Sequence, residues 1–278
     1  MADRTIIVTG ANSYAGGLLV GALLSQPGIQ VITLHTSEES VATQPADVTD
    51  RLVVDLRRKI GEPARSIIRS ADRVFHLAWV RGFDRADVER QNAAMISNLA
   101  DAMADPTGLI FFSTAAAGPD APSIYGAVKF AVEHQVREID GSVLTVGLVT
   151  GTPPRTAYRT IEAMVRKLPL RIRFDGSFRF YSDSEENFAQ ACMSFLGDLP
   201  AATYAVFPPE GESSNAFLRP IEAANPRPRL PLWLPSGLIL ACTRLFGRLG
   251  LMPRGLGERL MALLYSDTAR LAKMTRLP

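Results

Sequence analysis

The sequence is poor in cysteine and in histidine. Its 278 residues include two cysteines, Cys192 and Cys242, and three histidines. No Cys-x-x-Cys pair is present and no histidine lies near either cysteine along the chain, so we predict neither a disulfide framework nor a metal site. Reduced thiols are typical of the cytoplasm, which is the location we expect.

The sequence also has no long apolar run and no strong net charge. An apolar segment begins at residue 5, directly after the N-terminal Met-Ala-Asp-Arg, and this predicts no signal peptide. Residues 230–240 are apolar but carry two prolines and a glycine, and they fall far short of the ~20 residues of a membrane span. A net charge of +2 gives no reason to expect nucleic acid as a partner.

Predicted strands and helices alternate along the first half of the chain. Hydrophobic residues make up 47% and charged residues 21% of the chain, which is typical of an ordered globular protein with a substantial core. Helical segments separate short apolar runs of the kind found in buried parallel strands. These runs are residues 5–8, 29–34, 52–56, 74–79, 109–112 and 142–149. The alternation predicts an α/β fold with a doubly wound parallel sheet.

The first strand leads into a glycine-rich turn, Thr-Gly-Ala-Asn-Ser-Tyr-Ala-Gly-Gly at residues 9–17, and then into a helix. Gly10 permits a tight turn, and Gly16 lets the helix approach the strand closely. The helix N-terminus would present N–H groups and a positive dipole end to a phosphate. Ser13 stands where the related Thr-Gly-x-x-Gly-x-x-Gly pattern has its middle glycine.

The ends of the next strands bear on the cofactor. After the second strand, an acid would bind the ribose 2′-hydroxyl of NAD and an arginine would bind the 2′-phosphate of NADP. The residues there are His35, Thr36 and Ser37, so NAD and NADP both stay open, with a lean toward NADP because none of the three is acidic. Asp55 can bond the adenine amino group, and a solvated loop aspartate is the equal alternative. His76 lies inside an apolar strand and is interpreted as a packed histidine.

Tyr125 and Lys129 are the central candidates for catalysis. If Tyr125 begins a helix, Lys129 lies one turn later and both side chains project from the same face. A fixed cation beside the phenol is expected to lower its pKa from about 10 toward neutrality. Glu133, at the next i,i+4 step, can hold Lys129 in place. The preceding strand ends in Ser113 and Thr114, at the edge where open α/β sheets bind ligands.

Together these elements resemble the extended short-chain dehydrogenase/reductase family, in its NAD-dependent epimerase/dehydratase branch that acts on nucleotide sugars. The matching elements, in family order over about residues 5–151, are Thr9-Gly10-x-x-Ser13-x-x-Gly16, Asp55-Leu56, His76-Leu77-Ala78, Asn92, Ser113-Thr114 and Tyr125-Gly126-x-x-Lys129-x-x-x-Glu133. A weaker likeness to bacterial sugar-nucleotide epimerases and C4-reductases covers Pro231-Leu232-Trp233-Leu234 and Tyr265-Ser266-Asp267-x-x-Arg270.

The resemblance implies a Rossmann-type NAD(P)-binding domain, residues 1–151 with about 178–205, and a small C-terminal substrate lobe, about 152–177 with 206–278. It implies that Tyr125 is the general acid/base, that Lys129 bonds the nicotinamide ribose and lowers the tyrosine pKa, and that Thr114 bonds the reacting oxygen. The implied cofactor-binding residues are Gly10, Ser13, Tyr14, Gly16, Thr36, Asp55, Leu56, Leu77, Ala78, Asn92, Tyr125 and Lys129.

Two departures from the family pattern narrow the expected reaction. Thr114 and Tyr125 are only eleven positions apart, fewer than in most extended members, which predicts a short loop over the nicotinamide. Ala115-Ala116 stands where sugar 4,6-dehydratases carry Asp-Glu, and this disfavours dehydration. We therefore expect a 4-epimerase or a 4-keto reductase whose small-molecule substrate is a nucleotide sugar. The alternatives are an NADP-dependent reductase of a small carbonyl compound and a non-catalytic NAD(P)-sensing or scaffold protein.

The C-terminal half contains candidate phosphate-binding arginines and a basic segment that could contact a partner. The candidate clamps for a substrate diphosphate are Arg171, Arg173, Arg179 and Arg219. From residue 227 onward there are nine Lys or Arg and two acids, a net charge of +7. Residues 230–249 could contact an anionic membrane surface, but we favour packing of this segment on the core of the lobe. A helix–helix homodimer is common in the resembling family and is kept as an expectation.

Overall fold

The computed structural model describes residues 4–42, 50–151, 156–167, 169–174, 178–208, 210–226, 230–249 and 251–277. Its strands are β1 (Arg4–Thr9), β2 (Ile29–His35), β3 (Asp50–Val53), β4 (Arg73–His76), β5 (Leu109–Thr114), β6 (Ser142–Val146), β7 (Leu148–Thr150), β8 (Leu170–Phe174), β9 (Arg179–Phe180), β10 (Ser182–Ser184), β11 (Thr203–Ala205), β12 (Glu212–Ser213), β13 (Leu230–Leu234) and β14 (Thr275–Arg276). Its helices are α1 (Tyr14–Leu24), α2 (Glu38–Ala42), α3 (Ala64–Arg69), α4 (Arg85–Ala102), α5 (Ile124–Glu138), α6 (Thr156–Lys167), α7 (Glu185–Ser194), α8 (Ser214–Ala223), α9 (Ser236–Arg248), α10 (Arg254–Leu264) and α11 (Thr268–Leu271).

A sheet of eight strands forms the centre of the molecule, in the order β14-β11-β6-β5-β4-β1-β2-β3. Its neighbouring strands are all parallel. Strand order reverses between β1 and β4, which is the place where open α/β sheets bind ligands. The predicted doubly wound, Rossmann-type sheet is thus confirmed.

The two faces of the sheet bury separate apolar layers, as the alternation of side chains along a strand requires. Ile7 of β1 faces the layer that contains Leu99 of α4 and Val132 of α5. Ile6, its neighbour, faces the opposite layer with Leu19 of α1 and Phe188 of α7. Both faces are covered by helices, which is why the central strands are apolar along their length.

Three strands end earlier than the sequence predicts. The fourth strand along the chain ends at His76 instead of residue 79. The third ends at Val53, so Asp55 and Leu56 lie in the following loop. The sixth breaks at Gly147, where an added Cβ would lie 2.1 Å from the Tyr181 carbonyl oxygen. The Leu148 amide donates to the same oxygen at 2.7 Å, and β7 leaves the central sheet to pair with β10. This close approach of a second segment ends the strand.

The remaining elements build a second apolar core. Ile161 of α6, Phe180 of β9, Phe217 of α8 and Leu264 of α10 are buried together. Strand β13 pairs with β8 and strand β12 pairs with β9. Most of this core lies in the part of the chain that the resemblance assigns to a small lobe, and we call it the core of the lobe.

The structure differs from the predicted domain boundaries at two places. Phe178 and Phe180, assigned to the nucleotide domain, pack in the core of the lobe. Strand β14, assigned to the lobe, pairs in parallel with β11 at the edge of the central sheet. The chain therefore returns to the sheet at its C-terminal end, which local sequence patterns do not indicate because the pairing partner is distant along the chain.

Candidate active site

The turn between β1 and α1 accepts only glycine at two positions. Gly10 has a φ of +70°, and an added Cβ would lie 2.6 Å from the Ala78 amide nitrogen. A Cβ on Gly16 would lie 2.3 Å from the Gly10 carbonyl oxygen. Ser13 caps α1, because its hydroxyl accepts from the Gly16 amide at 3.0 Å. The turn is a tight backbone cradle at the positive end of a helix, and such a cradle fits the pyrophosphate of a dinucleotide.

Tyr14 connects the cradle to another helix. It is the first residue of α1, and its phenol donates a hydrogen bond to the Glu185 carboxylate in the first turn of α7. Ser184 caps α7 by accepting from the Asn187 amide at 3.1 Å. Glu185 thus lies at a helix N-terminus, where negative charge is favourable, and it also fixes the Tyr14 ring.

The ends of β2 and β3 carry both acids and cations. Thr36 follows β2 and is exposed, and the exposed Glu38 and Glu39 begin α2 two residues later. Asp55 accepts from the Arg57 guanidinium at 2.8 Å, and this hydrogen bond lowers the carboxyl pKa. The sequence-based preference for NADP took only residues 35–37 into account. The structure places two further carboxylates, those of Glu38 and Glu39, close to Thr36 along the chain.

The loop after β4 is held in place by Thr9 and Asn92. The Thr9 hydroxyl accepts from the Ala78 amide at 3.1 Å. The buried Asn92 side chain donates to the Val80 carbonyl and accepts from the Val80 amide, both at 3.0 Å. Asn92 also donates to the Val88 carbonyl at 2.7 Å. It therefore shapes the loop that follows Leu77 and Ala78.

His76 is packed inside the sheet, as predicted. Its Nδ1 lies 2.8 Å from the Thr9 hydroxyl, and its ring stacks on Phe111 with 6.1 Å between centroids. Burial lowers its pKa to about 3, with a smaller contribution from the charge of Lys129. A neutral, hydrogen-bonded imidazole in this place supports the strand rather than exchanging protons.

Tyr125 and Thr114 meet at the carboxyl end of β5. Tyr125 is the second residue of α5, whose N-terminus is capped by Ser123 accepting from the Gly126 amide at 3.0 Å. Thr114, the last residue of β5, lies beside Tyr125 and weakly lowers the pKa of its phenol. The Trp79 ring meets the Tyr125 ring edge-on at 5.7 Å between centroids. The predicted start of this helix at Tyr125 is confirmed to within one residue, since α5 begins at Ile124.

Lys129 lies one turn along α5 and is only 3% exposed. Its ammonium donates to the Phe112 carbonyl at 2.6 Å. It also lies 4.0 Å from the centroid of Trp79 and 4.4 Å from that of Phe111. Burial lowers the pKa of Lys129 to about 7, although the charge of Glu133 partly opposes this shift. A carbonyl and two aromatic faces therefore hold the ammonium.

The predicted direction of the Tyr125 pKa shift is wrong. Burial of the phenol raises the pKa above its usual value, while the charge of Arg81 and the hydrogen bond with Thr114 lower it by less. The cation expected to acidify the phenol is itself bonded to a backbone carbonyl. Tyr125 therefore favours its neutral phenol, because the cost of desolvating the phenolate outweighs its attraction to nearby positive charge.

Glu133 has other partners than the one predicted. The Ser113 hydroxyl donates to one of its oxygens and the Arg270 guanidinium pairs with the other. Arg270 also donates to the Ala117 carbonyl at 2.7 Å. Glu133 acts on Lys129 through its charge and not through a direct bond. Sequence reasoning noted Arg270 only in a tail motif and missed this role, since 137 positions separate it from Glu133.

A polar cleft opens at the ends of β7, β10 and β11, with a volume of about 530 Å³. Its lining includes Thr150, Asp183, Asn187 and Glu210. Asp183 accepts from the Asn187 side chain at 2.7 Å, so its carboxylate is already oriented. The cleft is large enough for a small polar ligand.

Comparison with known proteins agrees with this geometry. The model of the NAD dependent epimerase/dehydratase family matches residues 6–168, more than half of the chain. The chain belongs to the NAD-dependent epimerase/dehydratase family. It is therefore an NAD-dependent enzyme, and not the non-catalytic sensor or scaffold kept as an alternative. No curated protein sequence shows significant similarity to the chain.

Solved structures share the fold at low sequence identity. A nucleoside-diphosphate-sugar epimerase from Staphylococcus aureus has a TM-score of 0.69 and 10% identity, covering 98% of this chain and 92% of that one. The terminal R domain of the myxalamid PKS-NRPS biosynthetic pathway has a TM-score of 0.67 and 18% identity, covering 98% and 85%. A UDP-glucose 4-epimerase from Thermotoga maritima, solved with UDP-glucose, has a TM-score of 0.61 and 16% identity, covering 83% and 85%.

Proposed function

We propose that this member of the NAD-dependent epimerase/dehydratase family is a 4-epimerase or a 4-keto reductase of a nucleotide-linked sugar. The observation that carries the proposal is that Thr114 and Tyr125 lie together at the carboxyl end of β5, beside the buried Lys129. The likeness in fold to an epimerase solved with UDP-glucose supports this class of substrate.

In the proposed reaction Tyr125 exchanges a proton with the sugar oxygen at the reacting carbon. A phenol that keeps its proton suits the donor role in the reduction of a ketone. Thr114 would bond the same oxygen and orient it toward the phenol. Proton transfer by a positioned side chain contributes about 10²- to 10⁴-fold in rate.

The cofactor would lie across the switch point between β1 and β4. The nicotinamide cofactor, when bound, supplies the hydride chemistry. The Gly10 and Gly16 cradle, with Ser13 and Tyr14, would hold the pyrophosphate. Lys129 would bond the nicotinamide ribose.

The adenosine end would lie against Thr36, Asp55 and Leu56, with Leu77 and Ala78 lining the middle of the site. We infer a preference for NAD over NADP, because the carboxylates of Glu38 and Glu39 would repel a 2′-phosphate near Thr36. Separate dissociation constants for the two cofactors test this preference, and tighter binding of NADP would contradict it.

The variant Tyr125→Phe tests the proposed reaction. It removes the proton donor and keeps the ring, so we expect kcat to fall about 10²- to 10⁴-fold while the variant still binds NADH. Tyr158→Phe is the matched control, since Tyr158 packs on Phe217 in the lobe. Near-normal turnover of Tyr125→Phe with a nucleotide sugar would contradict the mechanism.

One observation favours a second candidate, the reductase of a small carbonyl compound. Two of the four candidate diphosphate clamps already have a carboxylate partner. Arg173 forms a two-point pair with Glu222 at 2.9 and 3.0 Å, and Arg171 lies 3.5 Å from the same carboxylate. Thermal-shift measurements with UDP- and dTDP-sugars separate the candidates, because stabilisation by the nucleotide sugars supports the first and its absence favours the second. The cytoplasmic location and the homodimer remain predictions.

A further inference from the structure

The outer side of helix α9 carries exposed apolar side chains. Leu238, Leu245 and Phe246 of α9, together with Leu249 directly after its last residue, are between 42% and 60% exposed, and we call these four residues the α9 face. At about 100° per residue, their spacing places them on one side of the helix. Water-exposed helix surfaces of globular proteins are normally polar, so this face departs from the usual pattern.

The inner side of α9 already has a packing partner. Ile239 and Leu240 pack against the core of the lobe, and Thr243 is buried. The helix is therefore anchored through its other side. Packing within the lobe, which the sequence favoured, explains this inner side and leaves the α9 face unexplained.

Exposed apolar residues concentrate around this face. Of the eleven large hydrophobic residues that are exposed in the described part of the chain, nine lie between residues 230 and 256. They include Trp233, 69% exposed, and Leu251, 71% exposed. The Leu251 amide donates to the Phe246 carbonyl at 2.9 Å, which brings Leu251 beside the face. Apolar patches of this kind on soluble proteins mark interaction sites.

The charges of the same region are almost all positive. Residues 236–264 contain four arginines and one acid, Glu258. Glu258 accepts from the Ile124 amide at 2.8 Å, so its carboxylate is turned to the first residue of the catalytic helix. Arg244 and Arg259 are exposed. The region therefore presents apolar side chains together with cations.

This charge decides which partner fits. In a symmetric contact with a second copy, each face would meet the same positive charge. A bilayer that contains anionic lipids offers the opposite charge and an apolar interior, and an exposed tryptophan suits the membrane–water interface. Within the described residues no helix is both long and apolar enough to cross a bilayer. We propose that the α9 face docks on the surface of an anionic lipid bilayer, with the helix in the plane of the interface.

Sedimentation of the full chain with lipid vesicles tests this docking. The vesicles contain phosphatidylcholine alone or phosphatidylcholine mixed with phosphatidylglycerol. We expect at least about tenfold tighter binding to the mixed vesicles, because exposed arginines are attracted to anionic headgroups. The double variant Leu245→Glu/Leu249→Glu should lose binding. Val53→Glu is the matched control, since Val53 is 44% exposed on β3, and it should bind like the unchanged chain.

Three results would overturn the proposal. The first is no sedimentation with either kind of vesicle, and the second is equal binding to both kinds. The third is a dimer, measured by light scattering, that the double variant dissociates while no vesicle binding occurs. Because both leucines are exposed, the double variant should keep its melting temperature, and this measurement shows that a loss of binding is not a loss of folding.

Discussion

Helix α5, which carries the catalytic candidates, and the lobe helix α9 depart from ordinary protein surfaces in opposite ways. On α5, Lys129 and Glu133 are buried at 3% and 5% exposure, although charged side chains are normally exposed. On α9, leucine and phenylalanine face outward. Each departure has a cost, through desolvation of charge in the first case and hydration of apolar surface in the second. We infer that these unusual residues serve ligand or partner binding, and not only the stability of the fold.

The two regions also differ in how their unusual groups are satisfied. Each buried charge on α5 has partners within the chain, namely the Phe112 carbonyl for Lys129 and both Ser113 and Arg270 for Glu133. The side chains of the α9 face, by contrast, remain 42–60% exposed. Changes on α5 should therefore alter stability strongly, and changes on the α9 face should alter it little. The following predictions test this contrast.

The largest loss of stability is expected for Arg270→Leu. The change leaves the buried Glu133 carboxylate without its cation, and breaking a buried ion pair in this way costs about 3–5 kcal/mol. Lys273→Leu, which changes an exposed cation in the same segment, should stay within about 0.5 kcal/mol. Urea unfolding measures both variants, and equal stabilities would show that the Glu133 pair does not hold the tail to α5.

A smaller loss of stability is expected for Gly16→Ala. Its Cβ would lie 2.3 Å from the Gly10 carbonyl oxygen, so the cradle must shift, and overpacking of this kind costs about 1–3 kcal/mol. We also expect the affinity for NAD to fall. At Gly17 an added Cβ would have ordinary contacts, with the nearest atom 4.0 Å away. Gly17→Ala is therefore the control, and loss of NAD binding in both variants would contradict the role of the close approach at Gly16.

Because the pKa of Lys129 is lowered in the folded protein, we predict that the free energy of unfolding depends on pH. Its pKa is about 7 in the folded protein and about 10.4 in an unfolded chain. Between these values the unfolded chain binds the additional proton, so the contribution of this group to the free energy of unfolding increases as the pH rises. The slope is at most about 1.4 kcal/mol per pH unit. Unfolding of the unchanged chain and of Lys129→Met should be compared at several values above pH 7, and parallel pH profiles would contradict a lowered pKa.

The smallest change in stability is expected for Leu245→Ser on the α9 face. The side chain is 53% exposed, so its replacement should change the free energy of unfolding by less than about 0.5 kcal/mol. Thermal unfolding of the variant checks this value. A loss of about 2 kcal/mol or more would show that the leucine is packed, and the contrast between the two helices would then disappear.

Much of the nucleotide half could be predicted from local patterns. The apolar strands, the glycine turn and the Tyr125–Lys129 spacing depend on residues that are close along the chain, and their periodicity directly indicates which side chains share a face. The boundaries of β3, β4 and β6 were less accurate. At β6 a distant segment, Tyr181, approaches Gly147 and ends the strand, and no local pattern contains that contact.

The sequence alone determined the family, the parallel sheet and the identity of the catalytic candidates, because each of these depends on short-range spacing. Only the tertiary structure decided that Arg270 neutralises Glu133, that burial raises the Tyr125 pKa, and that the tail rejoins the sheet at β14. It also decided which side of α9 is covered. A periodic sequence shows that a helix has apolar residues on two sides, but the neighbours that cover one of them come from elsewhere in the chain.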